Sequence, residues 1–230
     1  MITLRRASER YDDRGGKREV WLTFHAQISA GASAESFGGL TQLAEIRMPP
    51  SSTTRNRPQR SAELITYVLD GTLAWEDSRG HTGLMQAGEF RRMTVGPGIG
   101  CNETNLSRAN WTHLFEIGLG SAVLPPAHEQ KRFSVAQRRD GLCLVASATA
   151  RAGSMGIRED GSVYSALLRA GQHVVHDLRE GRRAWLHVVS GQVTVQDLKL
   201  SRGDGVGISA ERSAAFTAVV DSEVLLVDVS

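Results

Sequence analysis

The feature that most constrains this chain is that it repeats itself. The segment Tyr67-Val-Leu-Asp-Gly71-Thr-Leu-Ala-Trp75 reads as an apolar strand, a tight turn and a second strand. His187-Val-Val-Ser-Gly191-Gln-Val-Thr-Val195 has the same form 120 positions later. Glu45–Pro50 aligns with Ala166–Gly171 at an offset of 121, Ala87-Gly88-Glu89 with Arg202-Gly203-Asp204 at 115, and Leu114–Ile117 with Leu225–Asp228 at 111. The order is kept and the offset shrinks in steps, as it does when a second copy has shorter loops. A period of this size means one supersecondary unit used twice. At 230 residues the chain has room for two modules of ~100 residues. Residues 1–125 and 126–230 are read as the two domains.

Within each copy the apolar runs are short and bounded by turn residues. Ile65–Leu69, Thr72–Trp75, Trp111–Ile117, Val163–Leu168, Trp185–Val189, Gln192–Val195, Phe216–Val219 and Val224–Val229 read as strands, rich in Val, Leu, Ile and aromatics. Asp70-Gly71 and Ser190-Gly191 fall between strands, where hairpin turns belong. The 24 glycines fit a chain of many turns. Helical periodicity is scarce; Glu35–Phe37 and Ala127–Lys131 are the candidate helical turns. The module boundary falls between Gly118 and Cys143, where Leu124-Pro125-Pro126 interrupts any regular element. Met48–Ser61, rich in Pro, Ser and Thr, reads as a loop on the rim of a pocket.

Two such modules in one chain resemble a bicupin, and three motifs carry a closer resemblance. Trp21-Leu-Thr-Phe24 is similar to an aromatic Thr-Phe segment near the pirin N-terminus. Arg57-Pro-Gln59-Arg-Ser-Ala-Glu63-Leu-Ile-Thr-Tyr-Val-Leu-Asp-Gly71 is similar to the family's His-Pro-His-x-x-x-Glu-Ile-Leu-Thr-Tyr-Val-Leu-x-Gly. Gly96-Pro-Gly-Ile-Gly-Cys101-Asn-Glu103 resembles its Gly-x-Gly-Ile-x-His-x-Glu. The resemblance implies an all-β fold of two cupin-type β-barrels packed together. It also implies where a metal would sit, since metal-binding pirins hold iron or another divalent ion with three His and one Glu. Carried over residue by residue, those positions are Arg57, Gln59, Cys101 and Glu103.

Only the Glu survives. Arg is permanently protonated and repels a cation. Gln offers a weak amide oxygen, and one Cys with one Glu is a poor set for a metal that favours imidazoles. The expectation is a degenerate site with no metal and no cofactor. Quercetin dioxygenase chemistry, reported for part of the family, is then not expected. An unpaired Glu103 inside a barrel would be costly, so Arg57 is expected to replace the metal as its cation, with Gln59 beside it. The alternative is that Arg57 is a surface residue beside Arg55 and Arg60. With a cation near it, Cys101 is a candidate low-pKa redox thiol; the alternative is a buried, inert Cys. Cys143 reads as core. His113 is the one His placed to rebuild a ligand set. His173 and His176, three apart on a strand, point to opposite faces. His187 reads as an ordinary strand residue and His25 as an interface residue.

Charge narrows the function further. Lys+Arg is 27 and Asp+Glu is 25, a net +2, which argues against direct nucleic-acid binding. Gly96-Pro97-Gly98 and Gly203-Asp204-Gly205 lead into no helix and read as turns, not phosphate loops. No membrane-spanning or signal segment is evident, so a cytoplasmic protein with two free thiols is expected. The function expected is that of a pirin-like protein that binds a small molecule or a protein partner, or senses oxidants, and works as a monomer. The alternatives are a metal-dependent quercetin 2,3-dioxygenase-type enzyme and a transcription-associated partner protein.

Overall fold

Short alternating runs with glycine turns leave the backbone one way to satisfy its hydrogen bonds, which is strand pairing. The computed structural model describes residues 1–13, 18–24, 36–58, 63–94, 100–120, 125, 127–139 and 141–230, without the side chains of 56–58. It is a nearly all-β, two-cupin chain. Two units separate: Tyr11–Ser36 with Leu40–Phe133, and Met1–Arg10 with Phe37–Gly39 and Ser134–Ser230.

The unit holding Tyr11 to Phe133 has two sheets. The larger runs Ala127–Arg132, Glu89–Thr94, Glu63–Asp70, Thr112–Leu119, Leu40–Met48, Glu19–Phe24, Tyr11–Asp13 in spatial order. The smaller runs Thr53–Pro58, Gly100–Thr104, Thr72–Asp77, Thr82–Gln86. Leu64, Val68, Leu73, Trp75, Met85, Met93, Cys101 and Leu114 meet in its core.

The other unit reproduces that order strand for strand. Its larger sheet runs Ile2–Arg5, Gly205–Ser209, Arg183–Ser190, Ser222–Val229, Gly161–Leu168, Cys143–Ser147, Met155–Gly156. Its smaller sheet runs His173–Asp177, Ser213–Ala218, Gln192–Val195, Leu198–Ser201. The repeat read from sequence is therefore a repeat of topology. Gly71 (φ +82°) and Gly191 (φ +79°) serve it in the same way. A Cβ on Gly71 would lie 2.8 Å from the Trp111 carbonyl oxygen, and one on Gly191 would lie 2.3 Å from that of Asp221. Both turns need a residue without a Cβ.

All eight sequence-predicted strands are present. The differences lie at the edges. The break between units falls at Phe133/Ser134 rather than after residue 125, and Met1–Arg10 joins the unit of Ser134–Ser230. Ile2–Arg5 pairs antiparallel with Gly205–Ser209, and Ile2 and Leu4 pack on that unit's core. In the first unit the equivalent edge is covered by Ala127–Arg132, which pairs with Glu89–Thr94. An open edge seeks a partner, and these two segments lie outside the repeat that guided the domain reading. Ala127–Lys131 is thus strand, not helix, with burial alternating at period two. Phe37 sits in a β-bridge, and Glu35 lies outside the described residues. The Met48–Ser61 loop holds the strand Thr53–Pro58. Among the described residues the one α-helical turn is Val135–Arg138, where Ser134 and Gln137 form a capping box. Among the described residues no helix is long and apolar enough to cross a membrane.

Candidate functional site

Two of the carried-over positions, Cys101 and Glu103, fall in the interior of the first unit. Glu103 stands opposite Trp75 across the Gly100–Thr104/Thr72–Asp77 pair, and Cys101 stands opposite Asp77. Directly opposed residues on antiparallel strands share a face. Trp75, Cys101 and Glu103 are all buried, so this face points into the core. On the other side of Gly100–Thr104, Cys101 is in register with Arg57. The Arg57 side chain and all of Gln59 lie outside the described residues.

Glu103 receives a cation that the sequence reading did not consider. Arg91, on the strand Glu89–Thr94, places Nη2 3.0 Å from Glu103 Oε1. Both side chains are buried, at 0% and 3% exposure. The same guanidinium donates to Thr66 Oγ1 at 3.4 Å and to Cys101 Sγ at 3.9 Å. Its Cζ lies 4.7 Å from the Trp75 ring centroid, a cation–π contact. Arg91 is therefore a buried cation on Glu103, and the expected Arg57–Glu103 pair falls on a side chain outside the described residues.

Cys101 does not have the character of an oxidant sensor. It is 1% exposed. Burial pushes its thiol up to about 11, Glu103 and Glu116 push the same way, and Arg91 only partly offsets them. Thiols that react at neutral pH are accessible and lowered in pKa. Cys143 is half-buried and also raised, chiefly by burial. The other expected histidine roles resolve as follows. His113 turns to Glu45, with Nε2 2.9 Å from Oε1. His173 faces Thr217 and His176 faces Asp228, so they do not converge. His187 is buried in its strand, and His25 lies outside the described residues.

Among the described residues one group of three donors converges, and the sequence reading missed it. Asp77, His81 and His128 present ligand atoms within 4.8 Å of one another. Asp77 ends the strand Thr72–Asp77, His81 follows across a turn containing Gly80 (φ +86°), and His128 comes from the edge strand Ala127–Arg132. Spacings of 4 and 47 residues give no motif; only the pairing of Ala127–Arg132 with Glu89–Thr94 brings His128 in. In the other unit, His176 Nε2 and Arg182 Nε bind the two oxygens of Asp228 at 2.8 and 2.6 Å beside Tyr164, lining a hollow of about 390 Å³.

Known proteins bear on both the fold and the site. The Pirin family profile matches residues 14–118, and the Quercetinase C-terminal cupin domain profile matches 144–229. A protein named quercetin 2,3-dioxygenase, from Escherichia coli K12, is 34% identical over 230 residues, covering 99% of this chain and 98% of that one. The crystal structure of YhhW from Escherichia coli superposes with a TM-score of 0.92 at 34% identity, covering 100% of this chain and 98% of that one. The bacterial pirin YhhW in complex with nickel(II) gives 0.89 at 33% identity, covering 100% and 99%. The expectation of no cofactor is corrected by these relatives, which point to a metal. The inherited position in this chain does not fit one. Its carboxylate already holds a buried guanidinium, its described sulfur is a neutral thiol, and neither Cys101 nor Glu103 belongs to a converging donor group among the described residues.

Proposed function

The chain belongs to the pirin family, and from that premise we propose that it works by binding a small molecule or protein partner, not by dioxygenating a flavonol inside its first barrel. The observation that carries this is the Arg91–Glu103 pair. Dioxygen chemistry needs a redox metal with open coordination positions. Here a fully buried side-chain cation stands on the one carboxylate the family site retains. The near-neutral charge supports a partner other than nucleic acid. Two free thiols are consistent with the cytoplasm, and the repeat of one module within the chain with a monomer.

Quercetin dioxygenation is the competing reading, favoured by the name and full-length similarity of the 34% identical relative. Quercetin consumption, followed by absorbance with oxygen uptake after incubation with iron(II), nickel(II) or manganese(II), separates the two. The Escherichia coli relative serves as control. We expect this chain to turn over quercetin no faster than metal in buffer. Turnover within tenfold of the control, lost on Glu103→Gln, would overturn the proposal.

A further inference from the structure

We propose that Asp77, His81 and His128 form a binding site for a first-row divalent transition metal at the mouth of the first barrel. Two imidazoles and one carboxylate are the donor set that such ions prefer, and they leave positions open to water or ligand. The set is distinct from the inherited positions, all four of which lie elsewhere in the sequence.

Asp77 is oriented for the role. Its Oδ1 accepts hydrogen bonds from the backbone N–H groups of Arg79 and His81, at 2.9 and 3.0 Å. That leaves Oδ2 as the oxygen that faces His81, 2.8 Å from Nδ1. Two ligand atoms bound at ~2.1 Å and about 90° apart on one ion lie about 3.0 Å from each other. The Asp77–His81 pair therefore has nearly the spacing of two ligands on a common ion. The other Asp77 oxygen stays held by the backbone N–H groups of Arg79 and His81. Such outer hydrogen bonds are what hold a ligand in place before the ion arrives.

His128 completes the set from the neighbouring strand. Its ring lies 5.0 Å from that of His81 and meets the Trp75 ring edge-on at 5.3 Å. Both imidazoles are exposed, so a side-chain rotation suffices to close the remaining gap. The three donors line a hollow of about 30 Å³ with Met93 and Thr94 on its floor and Arg79 on its rim. That volume suits one ion or water, not an organic ligand. Arg79 is a cation on an exposed, flexible stem and can swing into solvent.

The position within the barrel gives the site its meaning. Asp77 is in register with Cys101 and Trp75 with Glu103. The Asp77 level therefore lies two residues, or about 7 Å, from the Glu103 level along the same inward face. A guanidinium fills the deeper level, and the donors collect at the outer one.

The test uses the untagged full-length chain. It is dialysed against zinc(II) or nickel(II), desalted and analysed for metal, with affinity measured by calorimetry at pH 7.5. We expect one ion per chain. His81→Ala and His128→Ala should each weaken binding at least tenfold, whereas Glu103→Gln should leave it unchanged. His128 is exposed on an edge strand, so its variant retains the fold, checked by near-ultraviolet circular dichroism. Cobalt(II) loading adds a second readout, since its visible absorption bands should be lost in His128→Ala. The proposal is overturned if the wild-type chain binds no ion, or if binding persists in both histidine variants or disappears in Glu103→Gln.

Discussion

Replacing Arg91 by Met removes a buried cation from Glu103 and leaves a carboxylate in a barrel core. Arg91 is fully buried, Glu103 is 3% exposed, and the two lie 3.0 Å apart. At an effective dielectric of about 20 the attraction at that separation is about 5 kcal/mol. Breaking such a pair by removing one partner costs about 3–5 kcal/mol, because the other charge stays buried. The Trp75 contact and the Thr66 hydrogen bond go with the guanidinium and keep the loss in the upper part of that range. Arg91→Met combined with Glu103→Leu behaves differently, since replacing both charges by apolar groups of similar volume is often neutral or stabilising by about 1–4 kcal/mol. Urea unfolding followed by Trp fluorescence reads the difference, and three of the four Trp residues, at 21, 75 and 111, lie in this unit. With a slope of about 2 kcal/mol/M the single variant should lower the midpoint by about 2 M. The double variant should return to within about 0.5 M of wild type. A single variant that loses less than about 1 kcal/mol, or a double variant no better than the single, would refute the claim that this pair is a buried, mutually compensating unit.

Two further outcomes follow from the same structure. Asp204 ties down the N-terminal strand by accepting hydrogen bonds from Ala7 N at 2.8 Å and Ser201 N at 3.0 Å, with exposed Arg6 adding a weaker pair. Burial raises its pKa, but these bonds outweigh it and the net shift is below 3.8, so the stabilisation is present above that value and is lost as pH falls through the lower folded value. Hydrogen exchange at residues 2–5 should be fast at pH 7 in Asp204→Asn, and in wild type only below about pH 4; equal protection in both proteins at pH 7 would contradict this. Cys101, with its thiol at about 11, carries roughly one part in ten thousand of thiolate at pH 7. Iodoacetamide should therefore label it only after denaturation, as mass spectrometry reads directly, and rapid native labelling would restore the oxidant-sensing reading.

The legible part of this protein was the part that repeats. Tyr67–Trp75 and His187–Val195 carry their own turn chemistry, so their hairpins could be read locally, and the shared order of four segments fixed the two-unit topology. Ile2–Arg5 and Ala127–Arg132 were not legible, because an edge strand is chosen by the edge it covers and its own pattern is weak. The site failed for a related reason. Arg91 and Arg92 are adjacent in sequence, and strand alternation sends one inward and the other outward. Without the register, nothing marks Arg91 as the buried one. Carrying the family pattern over leads to Glu103 but not to Arg91, which lies on a strand, Glu89–Thr94, that supplies none of the carried-over positions.

That substitution changes what the barrel depends on. A metal held by the core makes folding and metal binding one equilibrium, so a chelator destabilises the protein. A guanidinium cannot be chelated, does not titrate in the physiological range and leaves no coordination position open. With Arg91 on Glu103, that carboxylate has a cation supplied by the chain itself. An ion at Asp77, His81 and His128 is then an addition to a finished fold. It rests on two exposed imidazoles and one carboxylate already held by backbone donors. Its removal should cost only the binding free energy at the ambient metal concentration, with no collapse of the interior. A rim site decoupled from the core in this way can load and unload metal while the barrel stays folded, which a site built on Glu103 could not do.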